Sequence, residues 1–86
     1  MPDITSHGVV KEYVLREAAH HLAGMGKPTH RRLAAYWRPM MRQSLGILEG
    51  DEWIAAIAEA DRLADLARKG EIADLVRHIQ EELCRL

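Results

Sequence analysis

Ile72, Leu75, Val76, Ile79, Leu83 and Leu86 recur at spacings of three and four residues. That period places all six on one narrow stripe of an α-helix, with Asp74, Arg77, Glu81 and Arg85 on the opposite face. No strand reproduces such a pattern, because its side chains alternate with a period of two. The rest of the chain follows the helical period as well. No β-branched run alternates with polar residues, and no Asn-Gly or Asp-Gly joins two such runs.

The sequence therefore predicts an all-α fold, a compact bundle of four helices over roughly 6–24, 29–47, 51–69 and 71–85. Thr5 or Ser6 can cap the first helix, since a hydroxyl there satisfies free N–H groups. Gly24 and Gly26 end it. Val10, Val14, Leu15, Ala18, Leu22 and Met25 form its apolar face. Pro28 and Thr29 open the second helix, whose apolar side reads Leu33, Tyr36, Trp37, Met40, Ser44, Ile47 and Leu48. Pro39 interrupts it, lacking an N–H and crowding the preceding turn, which predicts a kink or a near-continuous restart. Asp51 is suited to cap the third helix, and Gly70 lies just past Arg68 and Lys69 at its end. Trp53, Ala56, Ile57, Ala60, Leu63, Ala64 and Ala67 would be its buried face. The short link at Gly70 makes helices three and four neighbours.

At 86 residues the chain reads as a single domain with a thin stability margin, its first five residues loose. It contains no Phe, so aliphatic side chains and Trp37 and Trp53 must fill the core. A lone cysteine, Cys84, rules out an intrachain disulfide and suits a reducing, cytoplasmic setting. No stretch reaches the roughly 20 apolar residues needed to cross a bilayer, and no secretory leader pattern is present. No membrane partner is expected.

Chemistry is sparse. No Gly-x-Ser-x-Gly, phosphate-binding glycine loop or His-Glu-x-x-His occurs, so no catalytic residue and no cofactor is expected. Glu17 and His21, one turn apart, could share a metal. A hydrogen bond between them at the core edge is the simpler reading, and no metal site is expected.

Charge is the informative feature. Residues 1–48 hold seven Lys and Arg against three Asp and Glu, while residues 49–86 hold five against ten. Arg31, Arg38 and Arg42 fall within about 40° of one another on the outer face of the second helix. Lys27 and Arg32 are nearby, and no acidic residue occurs from Gly26 to Leu48. Met41 lies nearer the basic side than Met40 does and could contribute to an adaptable contact surface. Lys27, Arg31, Arg32, Arg38, Met41 and Arg42 are thus the candidate partner-binding residues.

Three uses of this row are open: pairing with the chain's own acidic half or a homodimer mate, docking on an acidic protein surface, and binding nucleic acid. The leading expectation is a non-enzymatic helical regulator, inhibitor or accessory subunit acting on a larger protein or ribonucleoprotein. Phage- or plasmid-type inhibitors of nucleic-acid machinery, such as anti-CRISPR proteins, share this profile of size and missing chemistry. The alternative is a dimeric nucleic-acid-binding transcriptional regulator. The stripe running to Leu86 is a further candidate dimer contact.

Overall fold

The computed structural model describes residues 2–86, with side chains from residue 8 onward. The side chains of Thr5 and Ser6, and Met1 altogether, lie outside the described residues. The fold is an all-α four-helix bundle: α1 (Pro2–Gly24), α2 (His30–Ser44), α3 (Gly50–Lys69) and α4 (Ile72–Arg85), with a 3₁₀ turn at Leu45–Ile47 between α2 and α3. α3 packs against the other three helices, and α1 packs on both α3 and α4.

One cluster of buried side chains joins the four helices. It takes Val10, Val14, Leu15, Ala18 and Leu22 from α1, and Leu33, Trp37 and Met41 from α2. Leu45 follows from the turn, then Ala56, Ala60, Leu63 and Ala67 from α3, and Leu75 and Ile79 from α4. The alanines of α3 let its neighbours approach closely. Trp37 uses this closeness: its buried Nε1–H donates to the Ala60 carbonyl at 3.0 Å. An indole N–H left unpaired there would cost about 1–3 kcal/mol.

α2 and α3 form an antiparallel hairpin. His30 meets Gly70 at its open end, Trp37 meets Ala60 midway, and Arg42 lies over Trp53 near its tip. His30 Nε2 stands 2.8 Å from the Gly70 carbonyl. A carbonyl only accepts, so Nε2 carries the hydrogen.

The termini correct two expectations. α1 starts at Pro2, placing Thr5 and Ser6 within the helix rather than at its cap. Proline suits the first helical position, where its missing N–H is not needed. The cap of α3 is Glu49, in extended conformation, with Asp51 inside the first turn. Gly50 between them has φ 58°, the left-handed region that glycine enters without penalty. Asp51 and Glu52 still complement the helix dipole. At the other end α3 stops as expected, Gly70 donating its N–H to the Leu66 carbonyl at 3.1 Å.

Thr29 caps α2 as its sequence position implies, accepting from the Arg32 N–H at 3.2 Å. Replacing Thr29 with Ala should lower stability by about 1 kcal/mol, read as a shift of the urea midpoint, while Thr29→Ser should retain most of it. α2 runs through Pro39 as one element. Pro39 and Ala35, four residues before it, are both exposed. The carbonyl that loses its helical donor therefore faces solvent, where water can replace it.

The inward face of α2 is rotated from the one expected. Leu33, Trp37, Met41 and Leu45 turn in, while Tyr36 is 59% and Ile47 75% exposed. Met40, Ser44 and Leu48 are half-buried. Two causes act together. A repeat of four drifts by about 40° per step on a helix, carrying the seam from Leu33 to Met41. The 3₁₀ turn then advances by about 120° per residue, which brings Leu45 inward and sends Ile47 out.

Candidate interaction surface

The outer face of the α2–α3 hairpin carries the expected basic row. Arg31, Arg38 and Arg42 are exposed, as are Lys27 and Arg32 in and after the preceding turn. Gly26 shapes that turn with φ 70°, available to it because it has no Cβ. Met41 does not belong to the surface. It is 1% exposed, packed in the core. Its place one residue before Arg42 puts it about 100° away, on the inward side of the helix.

Most cations of the chain are already paired. Lys11 bonds Glu82 at 2.8 Å, joining α1 to α4. Arg16 reaches Glu12, Arg62 reaches Glu59, Arg68 reaches Asp65, Arg77 reaches Asp74, and Arg85 reaches Glu82. Among the described residues, Lys27, Arg31, Arg32 and Arg42 form no ion pair, nor does Lys69. Within the row only Arg38 touches a carboxylate, with Nε 3.7 Å from Asp61 Oδ1 and its side chain 72% exposed. Such a pair contributes roughly 0–1 kcal/mol. Arg32 donates to the Met25 carbonyl at 3.2 Å. The Arg42 guanidinium lies 6.0 Å from the centre of the Trp53 ring, at the outer limit of a cation–π contact.

The acidic second half therefore neutralises its own arginines more than those of α2. Within each helix, carboxylates and guanidiniums three or four residues apart meet directly. The α2 segment contains no carboxylate to do this.

α3 supplies the other side of the face. Ile54, Ala58, Asp61 and Asp65 follow one another at spacings of four, three and four along its outer stripe, and Ile54, Ala58 and Asp65 are exposed. On α2, Arg31, Ala35, Arg38 and Arg42 have the same spacings and are all exposed. A cleft of about 880 Å³ opens between α2 and α3 toward their His30–Gly70 end, bordered by His30, Ala34, Arg38, Asp61, Asp65 and Arg68. Its deeper wall is apolar, from Leu33, Trp37 and Leu75.

The polar cluster at the α1–α2 junction has a structural part. His21 Nε2 and Ser44 Oγ share a hydrogen bond of 2.5 Å, its direction set by the ring tautomer. Tyr13 donates its hydroxyl to the Ser44 carbonyl at 2.8 Å. His21 thus reaches across to α2 rather than to Glu17 on its own helix. Together these bonds hold the last turn of α2, whose final carbonyls lack helical donors. Burial, and secondarily the charge of Glu17, push the Tyr13 hydroxyl above its ordinary value of 10.0. The folded chain binds that proton more tightly than the unfolded chain does. Its contribution to stability is then full below pH 10 and declines as pH rises through the folded value. A tyrosinate absorbance titration of a Tyr36→Phe variant should show Tyr13 ionising later than a free tyrosine. Ionisation at the ordinary value would contradict this.

Among the described residues, no group of three or more His, Cys, Asp or Glu is placed to hold a metal ion. Cys84 is exposed. Among the described residues no helix is long and apolar enough to cross a membrane. Comparison with protein-family models, curated proteins and solved structures finds no match to this chain.

Proposed function

We propose that this chain is a non-enzymatic interaction protein, a small regulator, inhibitor or accessory subunit. It docks on an acidic surface of a larger protein or ribonucleoprotein through Lys27, Arg31, Arg32, Arg38 and Arg42. The observation that carries this reading is the contrast in pairing. Cations elsewhere in the chain are largely engaged by neighbouring carboxylates, while among those of α2 and its lead-in only Arg38 meets one, loosely and in the open. Guanidiniums held on a rigid helix grip carboxylates through paired hydrogen bonds with little ordering cost. A cytoplasmic setting accords with the single, reduced cysteine.

Nucleic acid is the second reading, since the same guanidiniums suit phosphates. The chain's net charge of −1 weighs against it, because a long polyphosphate strand meets the field of the whole molecule and not of one patch alone.

The test combines capture with gel retardation. Immobilised wild-type chain should retain a specific protein from an extract of the source cell, and the triple variant R31E/R38E/R42E should not. Equal retention by both would refute the reading. Duplex DNA and RNA should show no retardation at low salt. Retardation whose logarithmic affinity falls with log salt at a slope of about −3, as three phosphate contacts require, would favour the nucleic-acid reading instead.

A further inference from the structure

We propose that the outer face of the α2–α3 hairpin is self-complementary, so that a second copy of this chain occupies it across a two-fold axis. The inference rests on the reading above only in using the same arginines.

The argument begins with the two stripes. On α2 the sequence Arg31, Ala35, Arg38, Arg42 and on α3 the sequence Ile54, Ala58, Asp61, Asp65 have identical spacings of four, three and four. The helices run antiparallel in a register fixed by the contacts of His30 with Gly70, Trp37 with Ala60, and Arg42 with Trp53. With Trp37 level with Ala60, Asp65 lies about one residue from the level of Arg31, Ala58 beside Arg38 and Ile54 beside Arg42, while Asp61 falls between Ala35 and Arg38, about 3 Å along the axis from Arg38 and within reach of its long side chain. A two-fold axis parallel to the helices, lying above the outer face over the line midway between them, lays α2 of one copy over α3 of the other at the same level. Arg31 and Arg38 then face Asp65 and Asp61 of the second copy, and the operation is reciprocal, as an isologous contact requires.

Shape and polarity agree with this placement. Ala35 and Ala58 stand at the middle of the two stripes, small enough to let helix backbones come close. Ile47 and Ile54, 75% and 62% exposed, lie toward the hairpin tip, and the axis brings the tips of the two copies to the same end. The face is about 22 Å long and about 20 Å wide, taking 1.5 Å per residue and two helix diameters. That provides several hundred Å² per copy, toward the lower end of specific interfaces, and predicts a salt-sensitive, concentration-dependent dimer. The dimer hides the arginine row, so a foreign acidic partner must displace the second copy to bind.

Charge exchange tests the geometry. Size exclusion with light scattering at low salt should give the wild-type chain twice its 9.8 kDa mass, falling toward monomer as salt is raised. R31D/R38D and D61R/D65R should each be monomeric, with circular dichroism still helical. Their equimolar mixture should recover the dimer, because one copy's new aspartates meet the other's new arginines. A monomeric wild type, dimers that survive either variant, or a mixture that stays monomeric would each overturn the proposal. Folding failure is covered by the mixture, since recovery requires both variants to be folded. The D61R/D65R variant keeps the arginine row intact. If it still retains a foreign partner although the wild type is monomeric, the dimer fails and the docking reading stands.

Discussion

Replacing Trp37 with Ala is expected to cost about 3–5 kcal/mol, the largest loss of any single change in the core. Trp37 is 2% exposed and bridges α2 to α3. Truncation opens a cavity that the helices can close only in part, and it removes the bond to the Ala60 carbonyl. That carbonyl keeps its helical donor, so the hydrogen-bond loss is a smaller addition of about 1 kcal/mol. A domain of this size has a total stability of roughly 4–13 kcal/mol. The variant should therefore unfold at a much lower urea concentration than wild type and sit close to the folding threshold. Trp53→Ala should shift the midpoint far less, because Trp53 is half-buried and its indole makes no such bond. Equal shifts for the two would show that Trp37 does not fasten the hairpin.

The sequence made the architecture legible through α1, α3 and α4. Val10, Val14, Leu15, Ala18 and Leu22, and again Ala56, Ala60, Leu63 and Ala67, are buried where their period places them. α4 likewise turns Leu75 and Ile79 inward, but Leu86, on the same stripe, is 55% exposed. Periodicity works there because each stripe is long and uninterrupted. α2 is harder to read. Tyr36 and Ile47 fit its apolar pattern yet face solvent, and Met41 is buried although it stands between Met40 and Arg42. The difference comes from the drift of the seam and from the 3₁₀ turn, neither of which leaves a local mark in composition. The helix starts at Pro2 and Gly50 escaped for a related reason: Ser, Thr and Asp are better caps on average, but the chain uses Pro2 and the left-handed Gly50 instead.

The arginine row was legible because helix geometry alone groups Arg31, Arg38 and Arg42. Its pairing was not. Whether Asp61 meets an α2 guanidinium depends on the hairpin register, and that is fixed by long-range contacts such as His30 with Gly70. Ile54, Ala58, Asp61 and Asp65 repeat the spacing of the basic stripe. This could have been found by comparing helix faces pairwise for matching intervals and then for opposite charge along them.

The second large effect concerns binding. Charge reversal of Arg31, Arg38 and Arg42 together should weaken association with the acidic protein partner by well over a hundredfold. Each reversal replaces an attraction with a repulsion against a desolvated carboxylate, and truncating one such partner alone costs about 2–5 kcal/mol. Stability should change little. Arg31 has no ion pair among the described residues, the Arg38–Asp61 contact is exposed, and an exposed cation–π contact such as Arg42 with Trp53 contributes about 0.5–1 kcal/mol. A large effect on binding beside a small effect on folding is the signature of a surface built for a partner.

The most direct measurement is titration calorimetry of the captured partner against wild-type chain and against R31E/R38E/R42E, with circular dichroism on both. The predicted result is measurable heat and saturation for wild type and none for the variant, with the same helical spectrum. Equal affinity for the two chains would contradict the assignment of α2 as the docking helix.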